Sequence, residues 1–251
     1  MADVQLEMKL EMRRKCPSSR STALRPALLR IAGIALVVLC AFTSTSAPAQ
    51  TARKPAAATS SIPATTPAAQ RTVLVMGDSL SAAYGLSTAQ GWVALTAQKI
   101  AKQKPGWRVV NASISGETTA GGAARIAAEL KRHRPAVVVI ELGANDGLRG
   151  LPIAQTRANL AKMIAAAKTS NAKVLLIGMR LPPNYGPDYT QGFERTFREL
   201  AQQQKTAFLP FLLQPIALDD RAFQADRLHP VAAAQPKLRD HVWSALAPLL
   251  N

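Results

Sequence analysis

The stretch Val73-Leu74-Val75-Met76-Gly77-Asp78-Ser79-Leu80-Ser81 joins an apolar run to an abrupt polar break. The apolar part has the length and composition of a buried β-strand. Ser79 comes just after it, and open α/β sheets bind their ligands at the carboxyl edge, where the strands end. Asp78 and Ser79 are also common helix-capping residues, and for a single Gly-Asp-Ser capping is the simpler interpretation. The choice therefore depends on what the chain places at its other strand ends.

Short apolar runs and amphipathic stretches alternate along the chain from residue 71 onward. The apolar runs are Thr72–Met76, Arg108–Asn111, Ala136–Leu142, Lys173–Met179 and Thr206–Phe211. They are continuous, which is typical of strands covered on both faces. Between them apolar residues recur at helical spacing, as at Val93, Ala97 and Ile100. This alternation predicts one α/β domain over residues 71–251, with a parallel sheet, right-handed crossovers and helices on both faces, in three layers.

The first 70 residues have a different character. Residues 1–49 carry scattered arginines, then the apolar stretch Ile31–Phe42, then the small residues Ala47-Pro48-Ala49. This order is typical of a cleavable signal peptide, and the apolar stretch is shorter than the roughly 20 residues of a membrane span. Residues 50–70 are mostly Ala, Thr, Pro and Ser and are predicted to be a flexible tether. We expect a periplasmic or secreted protein, with an uncleaved membrane anchor as the alternative and Met12 as an alternative start.

Charge and cysteine content narrow the classes of function. The formal net charge is +16, but the basic residues are scattered and lack the dense tracts of nucleic-acid-binding proteins. A solvated basic surface is the simpler interpretation, and weak attraction to anionic membrane surfaces is the alternative. Both cysteines, Cys16 and Cys40, lie in the predicted signal peptide. The predicted domain therefore has no disulfide, no cysteine nucleophile and no thiolate metal site.

A serine nucleophile requires a base, and the chain has only three histidines. His133 lies at the polar end of a predicted helix and is expected to be solvated, and His241 lies within the last helix, where a surface role is expected. His229 follows the fifth predicted strand, three residues after Asp226. This spacing lets Asp226 hold one ring nitrogen while the other faces Ser79. Asp-x-x-His is a weak signal alone, since a local loop hydrogen bond also explains it.

Two other strand ends offer donors for an oxyanion. Gly116 follows the second predicted strand and lets the backbone turn and present its N–H. Asn145 follows the third and offers a side-chain amide. Ordinary turn chemistry also explains either residue taken alone. Asp78 and Asp146 are expected to be structural, ordering these loops by hydrogen bonds.

Four segments together resemble the sequence blocks of the GDSL esterases, also called SGNH hydrolases. They are Gly77-Asp78-Ser79-Leu80, Gly116, Gly143-Ala144-Asn145-Asp146 and Asp226-Arg227-Leu228-His229. Longer stretches are similar to the secreted bacterial arylesterase, thioesterase and lysophospholipase branch, among them Asn145–Gly150 and Arg180–Gly186. The resemblance extends from about Thr72 to the C-terminus.

The resemblance implies a flavodoxin-like sheet of order 2-1-3-4-5 and a catalytic triad. Ser79 would be the nucleophile, His229 the base and Asp226 the residue that orients the base. The N–H groups of Ser79 and Gly116 and the amide of Asn145 would form the oxyanion hole. Neither a metal nor a cofactor is implied.

Two further features follow from the comparison with this family. Ala144 stands where the family commonly has glycine, which is expected to stiffen or slightly shift the loop that carries Asn145. The loops Gly147–Pro152 and Pro182–Tyr189 correspond to regions that flank the family's acyl site and are expected to set the preferred acyl-chain length.

The expected function is a serine esterase or thioesterase that acts on small acyl substrates, lysophospholipids included, as a monomer and without a nucleic-acid partner. The alternatives are an acyltransferase with the same triad and a non-catalytic flavodoxin-like binding domain. No Gly-x-Gly-x-x-Gly or phosphate loop follows a strand, which argues against nucleotide binding.

Overall fold

A five-stranded sheet forms the centre of residues 70–251, the part of the chain that the computed structural model describes. Its strands are β1 (Arg71–Gly77), β2 (Trp107–Asn111), β3 (Val137–Glu141), β4 (Lys173–Ile177) and β5 (Ala207–Leu209). They run in the order β2-β1-β3-β4-β5, and all neighbours are parallel. This confirms the predicted flavodoxin-like fold. Because the strand order reverses beside β1, the carboxyl ends of β1 and β3 border the crevice where such folds bind ligands.

Six α-helices connect or follow the strands in the described residues. They are α1 (Trp92–Gln103), α2 (Thr119–His133), α3 (Ala144–Leu148), α4 (Ile153–Thr169), α5 (Pro187–Gln203) and α6 (Gln235–Leu246). Helix α1 contacts α6, whereas α2 contacts α4 and α4 contacts α5. The strands between these two groups, β1 and β3 above all, are almost fully buried. The helices therefore cover both faces of the sheet and complete the predicted three layers.

The edge strands differ from the prediction. Side chains of β2 and β5 are partly exposed, because an edge strand has a neighbour on one side only. β4 ends at Ile177 instead of Met179, and β5 covers only three residues of the predicted run Thr206–Phe211. Pro210 follows β5 directly and lacks the N–H that would continue the ladder.

Helix α5 was not among the predicted elements. It begins at Pro187, a residue whose ring is tolerated in the first turn, and it buries Phe193, Phe197 and Leu200. Charged residues, among them Glu194, Arg195, Arg198 and Glu199, separate these apolar residues and obscure the stripe in the sequence. Its start falls within the expected loop Pro182–Tyr189, which therefore contains a short 3-10 turn, Pro183–Tyr185, and the first residues of a helix.

The predicted signal peptide, residues 1–49, lies outside the described residues, as does the predicted tether except for Gln70. Both remain predictions. Among residues 70–251, none of the helices is long and apolar enough to cross a membrane.

Candidate active site

Ser79, His229 and Asp226 form a chain of hydrogen bonds at the carboxyl edge of the sheet. Ser79 follows the end of β1 by two residues, and its Oγ lies 2.8 Å from Nε2 of His229. The other ring nitrogen of His229, Nδ1, lies 2.6 Å from Oδ2 of Asp226. The fold thus brings the three residues into the contacts that a nucleophile, a base and an orienting carboxylate require.

Local hydrogen bonds stabilise the ionised form of Asp226. Its Oδ1 accepts the backbone N–H groups of Leu228 at 2.9 Å and of His229 at 3.0 Å. Partial burial acts to raise the pKa of Asp226, but these bonds and the His229 ring outweigh it and lower the pKa to about 2. An ionised Asp226 accepts a hydrogen bond from the Nδ1–H group, so Nε2 of the neutral ring is free to accept a hydrogen bond from the Ser79 hydroxyl.

The backbone N–H groups of Ser79 and Gly116 have no hydrogen-bond acceptor among residues 70–251. The loop that carries Gly116 lies against the end of β1, since the Ile114 N–H donates to the Gly77 carbonyl at 3.0 Å. Gly116 has a φ of +80°, in the left-handed region that glycine adopts without steric strain. Its carbonyl accepts a bond from Arg149 Nη2 at 3.0 Å, which anchors the loop. Both N–H groups are therefore available to a substrate oxygen.

The Asn145 side chain lines the same cavity as Ser79, but its amide already has acceptors. Nδ2 donates to the Glu117 carbonyl at 3.0 Å and to Oδ2 of Asp78 at 3.3 Å. These bonds use both N–H groups of the amide. The contact with Asp78 is the longer of the two, so it is the one that a negatively charged substrate oxygen would share or replace.

Two carboxyl groups without exposed surface, Asp78 and Glu141, lie beneath the nucleophile. Oδ1 of Asp78 accepts the Leu80 N–H at 3.0 Å, and Oε2 of Glu141 accepts the Ser81 hydroxyl. Burial raises the pKa of Asp78 to about 6 despite the bonds from Leu80 and Asn145. Burial and the neighbouring Asp78 raise the pKa of Glu141 well above its usual value. Both carboxyl groups therefore hold their protons to higher pH than a solvated carboxyl group does.

A largely apolar cavity of about 450 Å³ adjoins Ser79 and His229. Its volume lies within the range of roughly 300–1,000 Å³ that is typical of small-molecule sites. The apolar part of its lining includes Leu148, Met179, Leu181, Pro182, Phe211 and Leu213. A hydroxyl with a base, free N–H donors and an apolar cavity are the components needed to transfer an acyl group from a small ester.

A sequence model of the GDSL-like lipase/acylhydrolase family matches residues 75–235, which contain all of these side chains. The chain belongs to this family. The resemblance inferred from the four sequence blocks is thereby confirmed. As a GDSL hydrolase the chain is an enzyme, so the alternative of a non-catalytic binding domain is set aside.

Relatives of the chain include proteins named as esterases and thioesterases. Esterase TesA of Pseudomonas aeruginosa is 54% identical over 183 residues, which are 73% of this chain and 91% of TesA. Thioesterase 1/protease 1/lysophospholipase L1 of Escherichia coli is 42% identical over 184 residues, 73% of this chain and 87% of that protein. A crystal structure of esterase EstA from Pseudoalteromonas sp., inhibited by monoethylphosphonate, superposes with a TM-score of 0.69 at 39% identity, covering 72% of this chain and 100% of EstA.

The two loops expected to flank the acyl site of this GDSL hydrolase are tied to each other. The Tyr185 hydroxyl donates to the Leu148 carbonyl at 2.9 Å, and the Tyr189 hydroxyl donates to the Leu151 carbonyl at 2.8 Å. Leu148 and Pro182 also line the cavity, one from each loop. The loops therefore form one connected wall of the cavity.

Ala144, which replaces the family's usual glycine, is the first residue of α3 and also lines the cavity. Asn145 and Asp146 follow it within the same helical turn. Asp146 accepts the Thr119 N–H at 2.8 Å, so it orders the loop as predicted. Asp78 has the same structural character, since it holds both Leu80 and Asn145.

The two other histidines of the described chain contact residues outside the catalytic arrangement. His133 is half-buried instead of solvated, because its Nε2 lies 3.2 Å from Glu129 Oε2 in α2. His241 is also partly buried, and its Nε2 lies 2.9 Å from the Phe211 carbonyl oxygen. The selection of His229 by elimination agrees with this geometry.

Three residues of the site were missed by sequence reasoning: Glu141, Arg149 and Tyr84. The signal for Glu141 is a carboxyl group at the end of a buried strand. Gly77 makes room for it, because a Cβ on Gly77 would lie 2.8 Å from Glu141 Oε2. Arg149 lies within a family-like stretch but offers no local signal of its contact with Gly116. The Tyr84 ring lies 4.5 Å from the His229 ring, a contact across 145 positions that no local pattern indicates.

Proposed function

We propose that this protein is a serine hydrolase that cleaves acyl esters and thioesters through a covalent acyl-serine intermediate. The observation that carries the proposal is the uninterrupted chain of hydrogen bonds from Ser79 through His229 to Asp226, next to an apolar cavity. The esterase and thioesterase names of the relatives support the substrate class.

In the acylation step, Ser79 Oγ attacks the substrate carbonyl carbon while His229 Nε2 takes the hydroxyl proton. Asp226 holds Nδ1 and stabilises the imidazolium that forms. His229 then gives the proton to the departing alkoxide or thiolate, which leaves as an alcohol or a thiol. The acyl group remains bonded to Ser79.

The carbonyl oxygen becomes negatively charged when Ser79 attacks. The N–H groups of Ser79 and Gly116 are free to donate to it, because no protein acceptor in residues 70–251 competes for them. Asn145 adds a third donor by turning one N–H from Asp78 toward the substrate. The bonds to Asp78 and to the Glu117 carbonyl fix the orientation of this amide.

A second molecule resolves the acyl-serine. Water activated by His229 completes hydrolysis and restores Ser79. An alcohol in place of water gives acyl transfer, the alternative expected from the sequence. Product analysis with added alcohols separates the two: a new ester that accumulates faster than free acid would make the enzyme a transferase.

The apolar wall formed by the two tied loops is proposed to hold the acyl chain. Leu148, Leu181 and Pro182 line the cavity there, and the tyrosine hydroxyl bonds hold the loops together. A panel of aryl esters and acyl-thioesters of graded chain length measures the preference. Lysophospholipids belong in the same panel, since a relative is named as a lysophospholipase.

Replacement of the nucleophile tests the proposal. Ser79→Ala should lower kcat for aryl esters by about 10⁴–10⁶, with little change in thermal stability. A phosphonate inhibitor should transfer its phosphonyl group to wild-type Ser79, with loss of its leaving group, and should leave the variant unlabelled. Ser244→Ala, which removes an exposed hydroxyl from α6, serves as the matched control and should keep wild-type activity. Turnover of Ser79→Ala at the wild-type rate would overturn the mechanism.

We also propose export with removal of the N-terminal segment. The support is the sequence order of basic residues, Ile31–Phe42 and Ala47-Pro48-Ala49. N-terminal sequencing of native protein should give a start near Gln50 in a periplasmic or secreted fraction. Residues 1–30 intact on soluble cytoplasmic protein would contradict export, and the same residues on membrane-bound protein would indicate the anchor.

A monomer with at most weak attraction to anionic membranes is proposed as the state in solution. The scattered basic residues support this weak attraction. Sedimentation equilibrium and flotation with anionic vesicles at low and high salt measure the two properties.

A further inference from the structure

Two arginines line the cavity, and they differ in their partners. Arg180 Nε donates to Glu194 Oε1 at 3.1 Å, and Nη1 donates to Gln214 Oε1 at 3.2 Å. Arg180 is thus held by protein partners, although it shares the Glu194 carboxylate with Arg198. Arg227 has neither an ion pair nor a side-chain hydrogen bond with any other residue in the range 70–251. It is the cation at this cavity that is available to a substrate.

The backbone of Arg227 has a φ of +57°, in the left-handed region that residues with a side chain rarely adopt. Arg134, another residue in this region, follows α2 directly, and helix ends commonly adopt this conformation. Arg227 lies instead in the turn between Asp226 and His229. Glycine would fit this turn with less strain, so the presence of a long cationic side chain there calls for a reason beyond the turn itself.

Arg227 lies near the place where the leaving group of the substrate departs. His229 Nε2 must reach the oxygen or sulfur of the leaving group in order to protonate it. Arg227 precedes His229 by two residues, and both side chains line the cavity. The Tyr84 ring, which is 53% exposed, covers another side of the imidazole. A cationic and an aromatic side chain, Arg227 and Tyr84, therefore lie near the base that protonates the leaving group, whereas Leu148, Leu181 and Pro182 of the proposed acyl wall are apolar.

We propose that Arg227 forms an anion-recognition site for the leaving group, so that the enzyme prefers acyl esters whose alcohol or thiol portion carries a carboxylate or a phosphate. The guanidinium group suits this task, because its planar N–H groups bind both kinds of anion in a bidentate manner. The proposal rests on the proposed function, since the leaving group is located through the role of His229.

Three substrates with one acyl chain test the proposal: a 4-acyloxybenzoate, a 4-acyloxyphenyl phosphate and the neutral methyl 4-acyloxybenzoate. The quantity measured is the ratio of kcat/KM for each anion to kcat/KM for the neutral ester, at low ionic strength. Differences in leaving-group reactivity cancel when this ratio is compared between enzyme variants. The variants are Arg227→Gln, Arg227→Lys and Arg132→Gln, the last of which removes one exposed charge at the far end of α2.

Arg227→Gln should lower the ratio about threefold to fivefold, mainly through a higher KM for the anions, as expected for a solvent-accessible ion pair. Arg227→Lys keeps the charge but loses the bidentate geometry, so its ratio should lie between those of the wild type and Arg227→Gln, and Arg132→Gln should keep the full ratio. About 0.5 M salt should bring the wild type to the level of Arg227→Gln, because salt screens exposed charges. If Arg227→Gln lowers the ratio for both anions, Arg227 recognises negative charge in general. If it lowers the ratio for the phosphate alone, the preferred substrates are those with a phosphate in the leaving group.

An unchanged ratio in Arg227→Gln, or an equal fall in Arg132→Gln, would overturn the proposal. Failure of the underlying mechanism has a different signature. In that case the neutral ester would still be hydrolysed by Ser79→Ala, whereas failure of the anion site alone leaves hydrolysis dependent on Ser79 with no selectivity for charge.

Discussion

Carboxyl groups stand on both sides of the reacting serine, in opposite environments. Asp78 and Glu141, beneath the nucleophile, have no exposed surface, whereas the Asp226 side chain beside the base is 38% exposed. Burial raises the pKa of the first two, and hydrogen bonds lower the pKa of Asp226 to about 2 against the effect of its partial burial. The partly exposed Asp226 therefore ionises more readily than an ordinary carboxyl group, and the buried pair ionises less readily.

This difference separates two ways of supporting a catalytic group. Asp226 acts by its charge, which orients His229 and stabilises the imidazolium during the reaction. The buried pair acts by position, because it holds Leu80, Ser81 and Asn145 around the nucleophile turn. Loss of the first is expected to affect kcat above all, and loss of the second to affect folding stability and its dependence on pH.

Among these carboxyl groups, the largest effect is expected on kcat, from Asp226→Asn. An amide at this position cannot hold the required tautomer of His229, so kcat should fall about 10⁴-fold while the unfolding midpoint changes little. Steady-state kinetics and urea denaturation measure the two quantities. Asp220→Asn, in an exposed turn of the same segment, is the control and should retain wild-type kcat. A loss in Asp226→Asn of less than about tenfold would mean that its charge is dispensable.

Asn145 contacts Asp78 of the buried pair and is also the proposed third donor to the oxyanion. Asn145→Ala tests the second role. Loss of one side-chain oxyanion donor should lower kcat by about 10²–10³ with KM little changed. Asn145→Asp should be at least as impaired, since a carboxylate repels the oxyanion. Single-turnover acylation of folded protein is the decisive measurement.

If acylation by Asn145→Ala stays within about threefold of the wild type, far less than the loss expected for a lost donor, then Asn145 serves only to order Asp78. The oxyanion hole would then consist of the N–H groups of Ser79 and Gly116.

The buried pair should make folding less stable as pH rises. An unfolded Asp78 ionises near its ordinary pKa of 3.8, whereas the folded residue holds its proton up to about pH 6. The native state therefore binds more protons in this window, and the free energy of unfolding decreases with pH, by up to about 3 kcal/mol for a shift of this size. The raised pKa of Glu141 extends the decrease to higher pH.

Urea denaturation of wild type and Asp78→Asn between pH 4 and 8 measures this effect. In Asp78→Asn the free energy of unfolding should change little between about pH 4 and 6, because the amide does not ionise. Asp220→Asn is again the control and should follow the wild-type curve. Identical curves for Asp78→Asn and wild type would show that Asp78 ionises in the folded state as it does in the unfolded state.

The ionisation of Asp226 is expected to have the smallest effect on the free energy of unfolding, and this effect has the opposite dependence on pH. Its folded pKa of about 2 lies below the ordinary 3.8, so the unfolded state binds more protons between these values. Its contribution to stability is therefore present above about pH 4 and is lost as pH falls toward 2. Because the side chain is partly exposed, solvent screens this contribution strongly. Asp226→Asn should flatten the acid limb of the stability curve only slightly, and a larger change than that of Asp78→Asn would reverse the comparison.

Structural features that depend on short stretches of the sequence were predictable from the sequence alone. Continuous apolar runs marked β1, β3 and β4, because these strands are covered on both faces and have no polar positions to interrupt them. Ser79, Gly116 and Asn145 were identifiable because each follows a strand, and parallel strands end at a common edge. The spacing of Asp226 and His229 was informative because a single turn brings residues three apart together.

Contacts between distant segments were not predictable in the same way. Helix α5 was missed because charged residues separate its apolar residues along the sequence. Glu141 was missed because one acidic residue after an apolar run does not reveal whether the chain buries it. The acceptors of the Asn145 amide, Asp78 and the Glu117 carbonyl, come from loops 67 and 28 positions away.

By itself, the sequence of this protein determined which residue types stand at strand ends and in what order, since strand formation and turn geometry are short-range properties of the chain. Only the tertiary structure decided which carboxyl groups carry charge. The pKa of a side chain depends on the water, dipoles and charges around it, and neighbours from other segments set these for the buried pair. Tertiary contacts within residues 70–251 likewise gave Arg180 the partner Glu194 and gave the Arg227 side chain none.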